Sequence, residues 1–382
     1  MFGGRSFKWE QLKRAVTSIP RDFFTSNLLT HFTVLPPSVL VYNVTFRCNM
    51  KCRMCLNWTK KEQRELTVSE LEKVLKKGGL FHRIENVSIS GGEPTLRADL
   101  PEIVEVLYNN LPRVRKMSIV TNALNTHRVV GQVKAIARLT MERNSLLSIG
   151  VSLDGMGEIH DRIRNVPRAY ERVRETIHAL MELRESVPFS LGMGTVVIPD
   201  NFSELNKMVE FCQQNNIDLS FSILRFSDSI LGNETLQSDL VYNEEQRAFI
   251  GKFFHQLLQK SSFIDGDSYL YMHWSRMLLD NSQRTMPCPF MDQGIQLNPE
   301  GELYYCEMSK PIGNVLQEPA KAIYYKPENL AYRRKLIARK CSACISPCQT
   351  LVSVRKKLYP YAGFVFYLSG LKIARLLGII RE

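Results

Sequence analysis

Six times between residues 38 and 225, a short apolar run is followed by a segment with helical spacing. The first run is "VLVYNVTF". "ENVSIS", "KMSIVT", "LLSIGVSLDG", "FSLGMGTVVIP" and "IDLSFSIL" are the other five. Between them lie amphipathic stretches such as "TVSELEKVLKKGG", whose Thr67 and Glu70 form a capping-box start. Further helices are expected near 99–111 and 126–141, over "AYERVRETIHALMELRE" and over "NFSELNKMVEFCQQNN". Strict alternation of this kind predicts a parallel sheet with helical crossovers. Six units make an incomplete (β/α)6 barrel rather than a closed eight-fold one. Chemistry is then expected at the C-terminal ends of the strands.

Two motifs fall at such ends. After the first strand comes "CNMKCRMC", with Cys48, Cys52 and Cys55 spaced C-x3-C-x2-C. After the second comes "GGEP", residues 91–94. The chain has nine cysteines, and five of them, Cys288, Cys306, Cys341, Cys344 and Cys348, crowd its last third. The N-terminus "MFGGRSFKWEQLKRAV" has no apolar core of the signal-peptide kind, and "YAGFVFYLSGL" is too short to span a bilayer. The expectation is a cytoplasmic protein, in which clustered cysteines bind metal or catalyse rather than form disulfides. Three close thiolates suit either a zinc ion or an iron–sulfur cluster. A structural zinc site wants a fourth ligand, whereas three ligands leave one position open.

The motif order, with C-x3-C-x2-C after strand one, "GGEP" after strand two, "TNA" (121–123) after strand three and "SLDGMGEIHDRIRN" after strand four, resembles the radical S-adenosylmethionine (SAM) superfamily. The likeness covers the whole of 38–225. It implies that Cys48, Cys52 and Cys55 bind three irons of a [4Fe-4S] cluster, with SAM itself on the fourth. It implies a backbone at Gly91 and Gly92 open to ligand approach, a Glu93 carboxylate facing the SAM ammonium, and a turn stiffened by Pro94. Met54 would stand near adenine, where the family often has an aromatic residue. Asn122 and Ser152 would contact SAM, and Arg164 would meet an anionic group such as its carboxylate. His160 is expected to be structural, Asp154 to cap a turn, and Cys212 to be a buried thiol with a hydrogen-atom donor role as the sharper alternative.

The later cysteines follow a second resemblance. Cys288, twelve residues, Gly301, four residues, Cys306 and then "CSACISPC" are similar to the SPASM/twitch extension of radical SAM enzymes. "GIQLNPEGELYYC" reads as a β-hairpin turning at "NPEG". The resemblance implies one auxiliary [4Fe-4S] cluster on Cys288, Cys306, Cys341 and Cys344, with Cys348 able to replace one of the last pair. A structural zinc on the same residues is the alternative.

The organisation expected is an N-terminal amphipathic extension over 1–37 (Trp9, Leu12, Val16, Ile19), the partial barrel over 38–230 and a helical linker over 231–287. A small α+β auxiliary-cluster domain built on the hairpin follows over 288–350, then a basic, apolar C-terminal helix over 351–382 (Ile373, Leu376, Leu377, Ile380). The family likeness implies reductive cleavage of SAM to a 5′-deoxyadenosyl radical. That radical takes a hydrogen atom from an unactivated C–H of a sugar, peptide or lipid-linked substrate, and net oxidation is aided by the auxiliary cluster. Redox-neutral epimerisation is one alternative, and a non-catalytic metal-stabilised binding or assembly protein is another. A flavodoxin- or ferredoxin-type reductant is implied. The net charge of +12 fits an anionic substrate or an anionic membrane surface, which the tail helix could touch. No RNA-binding signature with interleaved aromatics is present, so nucleic acid is not expected.

Overall fold

The computed structural model describes residues 24–60, 64–77, 79–227, 229–260 and 266–346, together with 352, 359 and 361–366. The amphipathic segment around Trp9–Ile19, the tail helix from Ile373 to Ile380, and Cys348 lie outside the described residues. Close contacts divide the chain into one unit of residues 36–246 and 293–341 and another of 1–35, 247–292 and 342–382.

The first unit is built on a nine-stranded sheet ordered β6-β5-β4-β3-β2-β1-β7-β8-β9. Its strands are β1 Val39–Thr45, β2 Asn86–Gly91, β3 Lys116–Thr121, β4 Leu146–Ser152, β5 Ser190–Val197, β6 Asp218–Ile223, β7 Gly294–Leu297, β8 Glu302–Tyr304 and β9 Gly313–Asn314. β1 to β6 pair in parallel in chain order, as the alternation predicts. The crossovers are the helices α1 Val68–Lys76, α2 Leu100–Asn110, α3 Thr126–Glu142, α4 Glu158–Arg164 with α5 Ala169–Arg184, and α6 Leu205–Asn215. The Thr67–Glu70 capping box is formed at the start of α1.

The expected hairpin is present, with β7 antiparallel to β8. It is also part of the main sheet, because β7 pairs in parallel with β1 from Val39–Gly294 to Tyr42–Leu297. The contact-defined division therefore runs through the region that the sequence pattern groups as 288–350. Two helices there, Ala320–Tyr325 and Pro327–Lys340, have no counterpart in the sequence pattern. The first is only six residues long and the second is rich in lysine and arginine, so neither shows the broad apolar stripe by which a helix is read.

Strand pleating explains the two faces of the sheet. Successive side chains alternate, so one set packs under the helices. Leu147, Ile149 and Val151 of β4, with Val87 and Ile89 of β2, join Val133, Ile136, Ile177 and Leu180 in one apolar core. The opposite face carries Ser88, Ser90, Ser118, Ser148, Gly150 and Gly192. These six are half-buried, and Val41, Val120 and Val196 share their face.

The second unit contains the helices Gly266–Leu279 and most of Glu244–Lys260. Phe254, Tyr271 and Trp274 pack there as an aromatic group. No helix among the described residues is long and apolar enough to cross a membrane.

Candidate functional site

The cysteine loop follows β1 directly and lies over the C-terminal strand ends. Met50, Cys52 and Met54 are buried with Leu124 after β3, Ile198 after β5, Leu224 after β6, and Ile163 of α4. Cys48 and Cys55 are half-buried against this cluster. Backbone bonds pin the loop at both ends: Arg53 N–H donates to Ile163 O (2.9 Å) and Leu56 N–H to Leu231 O (3.2 Å). The buried Asn233 donates to Met54 O (2.9 Å) and to Arg225 O (3.0 Å). Burial pushes the Cys48 thiol up to about 11 and raises those of Cys52 and Cys55. Three thiols of this kind are neutral at neutral pH, and only a positively charged centre makes thiolates of them.

The "GGEP" turn is locked against the same loop. Gly91 has φ +140°, and a Cβ there would stand 2.1 Å from the Thr45 carbonyl oxygen. One on Gly92 would stand 2.2 Å from the Arg47 oxygen. Gly92 N–H donates to Thr45 O and Glu93 N–H to Arg47 O, both at 2.8 Å. The glycines thus let the ends of β1 and β2 meet, which is a tighter demand than the ligand approach expected of them.

Glu93 is bonded within the protein through both carboxylate oxygens. It is fully buried, and its Oε1 accepts from Thr95 N–H (3.1 Å), Thr95 Oγ1 (2.7 Å) and Thr121 Oγ1 (2.8 Å). Its Oε2 accepts from Asn122 N–H at 2.6 Å. The carboxylate, expected to face the SAM ammonium, here ties the end of β2 to the end of β3. Pro94 opens a buried 3-10 turn, Pro94–Leu96, which supplies the Thr95 donors.

Asn122, so positioned, donates through Nδ2 to Asn49 Oδ1 (2.7 Å) and toward Cys48 Sγ (3.8 Å). Arg164, the last residue of α4, places Nη1 3.6 Å from Cys52 Sγ and Nη2 2.5 Å from Asp154 Oδ2. Its anionic partner in the structure is therefore Asp154, which the sequence pattern presents only as a turn cap. Asp154 is 0% exposed and also accepts from Val196 N–H at 2.8 Å. Burying a lone carboxylate in this place would be costly, and the guanidinium offsets that cost. The buried Asn201 braces the same corner, donating to Asp154 O (2.8 Å) and Val196 O (2.9 Å). Neither Asn201 nor Asn233 stands out in the sequence, since each carries only the weak signal of an Asn ahead of a 3-10 turn. Ser152 ends β4 on the short-side-chain face, opposite Gly194.

His160 is structural, as expected: it is fully buried, and its Nδ1 accepts from Asp154 N–H at 3.1 Å. Burial first, and the Arg164 cation second, lower its pKa from 6.5 to about 3. In the other unit burial likewise lowers His273 to about 4. Both rings stay neutral when folded and bind protons when unfolded near pH 6.5. Their contribution is fully present above that pH and declines as pH falls toward 4. Each residue costs up to about 1.4 kcal/mol per pH unit in that window. Denaturation midpoints should therefore drop between pH 7 and 5, and His160→Gln should flatten the slope; an equal slope in the variant would refute the assignment.

Cys212 does not belong to the site. It sits on α6 inside the main apolar core, its sulfur 3.8 Å from Met193 Sδ, and burial raises its pKa to about 12. The cysteine loop belongs to a separate apolar cluster.

The later cysteines are spread over both units. Cys288 precedes a 3-10 turn, Pro289–Met291. In the same unit Arg284 clamps the "SACIS" segment, residues 342–346: its backbone N–H donates to Ser342 O (2.7 Å) and its Nη1 to Cys344 O (3.0 Å) and Ser346 O (2.7 Å). In the other unit Cys306 follows β8, held by Ser309 N–H (3.0 Å), and Cys341 closes the helix Pro327–Lys340. Among the described residues no three Cys, His, Asp or Glu side chains converge on a point for a single metal ion.

Residues 42–212 match the family model described as the Radical SAM superfamily. Among curated proteins, the chain is 22% identical to "Pre-heme d1 synthase" of Dinoroseobacter shibae over 81% of this chain and 79% of that one. It is 26% identical to "Fe-coproporphyrin III synthase" of Methanosarcina barkeri over 67% and 62%. It is 29% identical to "GTP 3',8-cyclase" of Listeria welshimeri over 47% of this chain, which spans about half (51%) of that relative. Two solved structures share the fold. One is anSMEcpe with bound AdoMet and a Cp18Cys peptide (TM-score 0.55, 16% identity, 87% of this chain, 100% of that one). The other is Streptococcus suis SuiB bound to S-adenosylmethionine (0.53, 15%, 87% and 72%).

Proposed function

The chain carries a radical SAM domain over residues 42–212, and from that premise we propose that it is an enzyme that removes a hydrogen atom from an unactivated C–H bond of an anionic substrate. The carrying observation is the cysteine loop. Three cysteines, Cys52 buried and Cys48 and Cys55 half-buried, stand at the strand ends, and two of their sulfurs face side-chain donors. When bound there, a [4Fe-4S] cluster with SAM supplies reductive cleavage to a 5′-deoxyadenosyl radical.

The chain's own residues do the rest. Cys48, Cys52 and Cys55 are the cluster ligands. Gly91, Gly92 and Glu93 hold the ends of β1, β2 and β3 in register around them. Met54, Asn122, Ser152 and Arg164 are the SAM-facing set, with Arg164 already charge-balanced by Asp154. The sheet face that carries Ser88, Ser118, Ser148 and Gly150 is the proposed floor for SAM and substrate.

Cys288, Cys306, Cys341 and Cys344 are assigned to one auxiliary [4Fe-4S] cluster, with Cys348 as the alternative to one of the last pair. That cluster would take up the substrate's electron and make the outcome a net oxidation. An anionic substrate is supported by the net charge of +12 and by the relatives' names, one a GTP cyclase and another a coproporphyrin synthase. A flavodoxin- or ferredoxin-type protein in a reducing cytoplasm is the proposed electron source.

Anaerobically reconstituted full-length protein should bind about eight irons, two clusters' worth. With dithionite and SAM it should release 5′-deoxyadenosine, detected by mass spectrometry. Iron-loaded protein that forms none would overturn the proposal.

A further inference from the structure

Resting on that reading, we infer that the buried Asp154–Arg164 pair and Asn122 set the reduction potential of the cluster on Cys48, Cys52 and Cys55, acting through the cysteine sulfurs. The three sulfurs are not equivalent. Cys52 Sγ faces the Arg164 guanidinium at 3.6 Å. Cys48 Sγ faces the Asn122 amide at 3.8 Å. Cys55 is served by the backbone N–H of Asn57. All three sulfurs meet main-chain donors, Cys48 at Met50, Cys52 at its own residue and Cys55 at Asn57; in addition Cys52 meets a cation and Cys48 a neutral side-chain amide.

The donors are fixed independently of any ligand. The turn that carries Arg164 is bonded to the cysteine loop, because Ile163 O accepts from Arg53 N–H at 2.9 Å. On the far side, Asp154 holds the guanidinium and is itself held by Val196 N–H at 2.8 Å. Asn122 is held by Glu93 Oε2 through its N–H (2.6 Å), and its Oδ1 accepts from Leu124 N–H (3.1 Å). Arg164 is 8% exposed and Asp154 0%, so little solvent screens them.

A donor aimed at a ligating sulfur draws electron density from it and favours the more negative, reduced cluster. Arg164 therefore raises the potential, and Asn122 raises it less. Asp154 lies on the other side of the guanidinium and cancels part of its charge. The series carboxylate, guanidinium, sulfur demands opposite signs: loss of Arg164 lowers the potential and loss of the Asp154 charge raises it. A group serving only to bind the SAM carboxylate would shift neither in the absence of SAM.

The test is a potentiometric titration of the anaerobically reconstituted full chain without SAM, read by electron paramagnetic resonance. The relevant signal is the one that changes on adding SAM. R164Q should make reduction about tenfold less favourable, about 59 mV lower for one electron. N122S should lower the potential by less, and D154N should raise it. Should R164Q not retain iron, R164K replaces it; it keeps the charge beside Asp154 but loses reach to Cys52, and a smaller fall is expected. Cluster-bearing variants that all stay at the wild-type potential overturn the inference, as does D154N moving in the same direction as the Arg164 variant. R164Q that weakens SAM binding at an unchanged SAM-free potential assigns Arg164 to SAM instead and also overturns it. Wild-type protein that forms no cluster overturns the proposed function rather than this inference.

Discussion

Alanine at Cys52 is expected to abolish 5′-deoxyadenosine formation while the chain stays folded. The substitution removes one buried sulfur from a cluster of nine apolar residues. A loss of that size costs about 1–2 kcal/mol against a total stability of about 5–15 kcal/mol. No charge is stranded, because Arg164 keeps Asp154. The ligand set, however, falls from three thiolates to two. Iron should drop from about eight to about four per chain, the remainder being the auxiliary cluster. Iron analysis, circular dichroism and product detection on one preparation separate the effects. Cys212→Ala is the control: its sulfur lies in the main core, so activity should persist with a modest loss of stability. Activity retained in Cys52→Ala would refute the ligand assignment.

Alanine at Gly92 is expected to break the site by a different route. The new Cβ would stand 2.2 Å from Arg47 O and 2.6 Å from Phe46 O, and at Gly91 it would stand 2.1 Å from Thr45 O. These are main-chain atoms, so no side chain can swing aside. Either β1 and β2 part at their ends or the loop bearing Cys48 moves. The expected cost is about 3 kcal/mol or more, with loss of the first cluster. Gly131→Ala tests the specificity of this reasoning. Gly131 lies inside α3, where an added methyl would meet nothing within 4 Å, so alanine should stabilise the chain by about 0.5–1 kcal/mol. Thermal denaturation of the three proteins should therefore rank Gly131→Ala above wild type and Gly92→Ala well below it; Gly92→Ala melting with wild type would sink the close-approach argument.

Much of this molecule is legible in its residues because the relevant signals are local. The short apolar runs and the Thr67–Glu70 box each lie within one element, and both appear as expected. The hairpin at "NPEG" also forms, but its pairing with β1 joins Val39 to Gly294. No pattern within either segment announces a partner so far along the chain. The helices over 320–340 escape a reading by pattern because their few apolar residues pack against the main core without forming a readable stripe.

At the site the same divide holds residue by residue. Cys48, Cys52 and Cys55 declare themselves by spacing within a single loop, and Gly91–Pro94 by their order after it. The sequence by itself determined which residue types stand at each strand end, since strand, loop and helix signals are short-range. Only the tertiary structure decided which of them meet. Glu93 commits its carboxylate to Thr121 and Asn122, 28 and 29 residues away. Asn122 reaches Cys48 across 74 residues, and Arg164 reaches Cys52 across 112 while Asp154 neutralises it. Hydrogen bonds and ion pairs depend on distance in space, and parallel strands bring chain-distant ends within a few ångströms of one another.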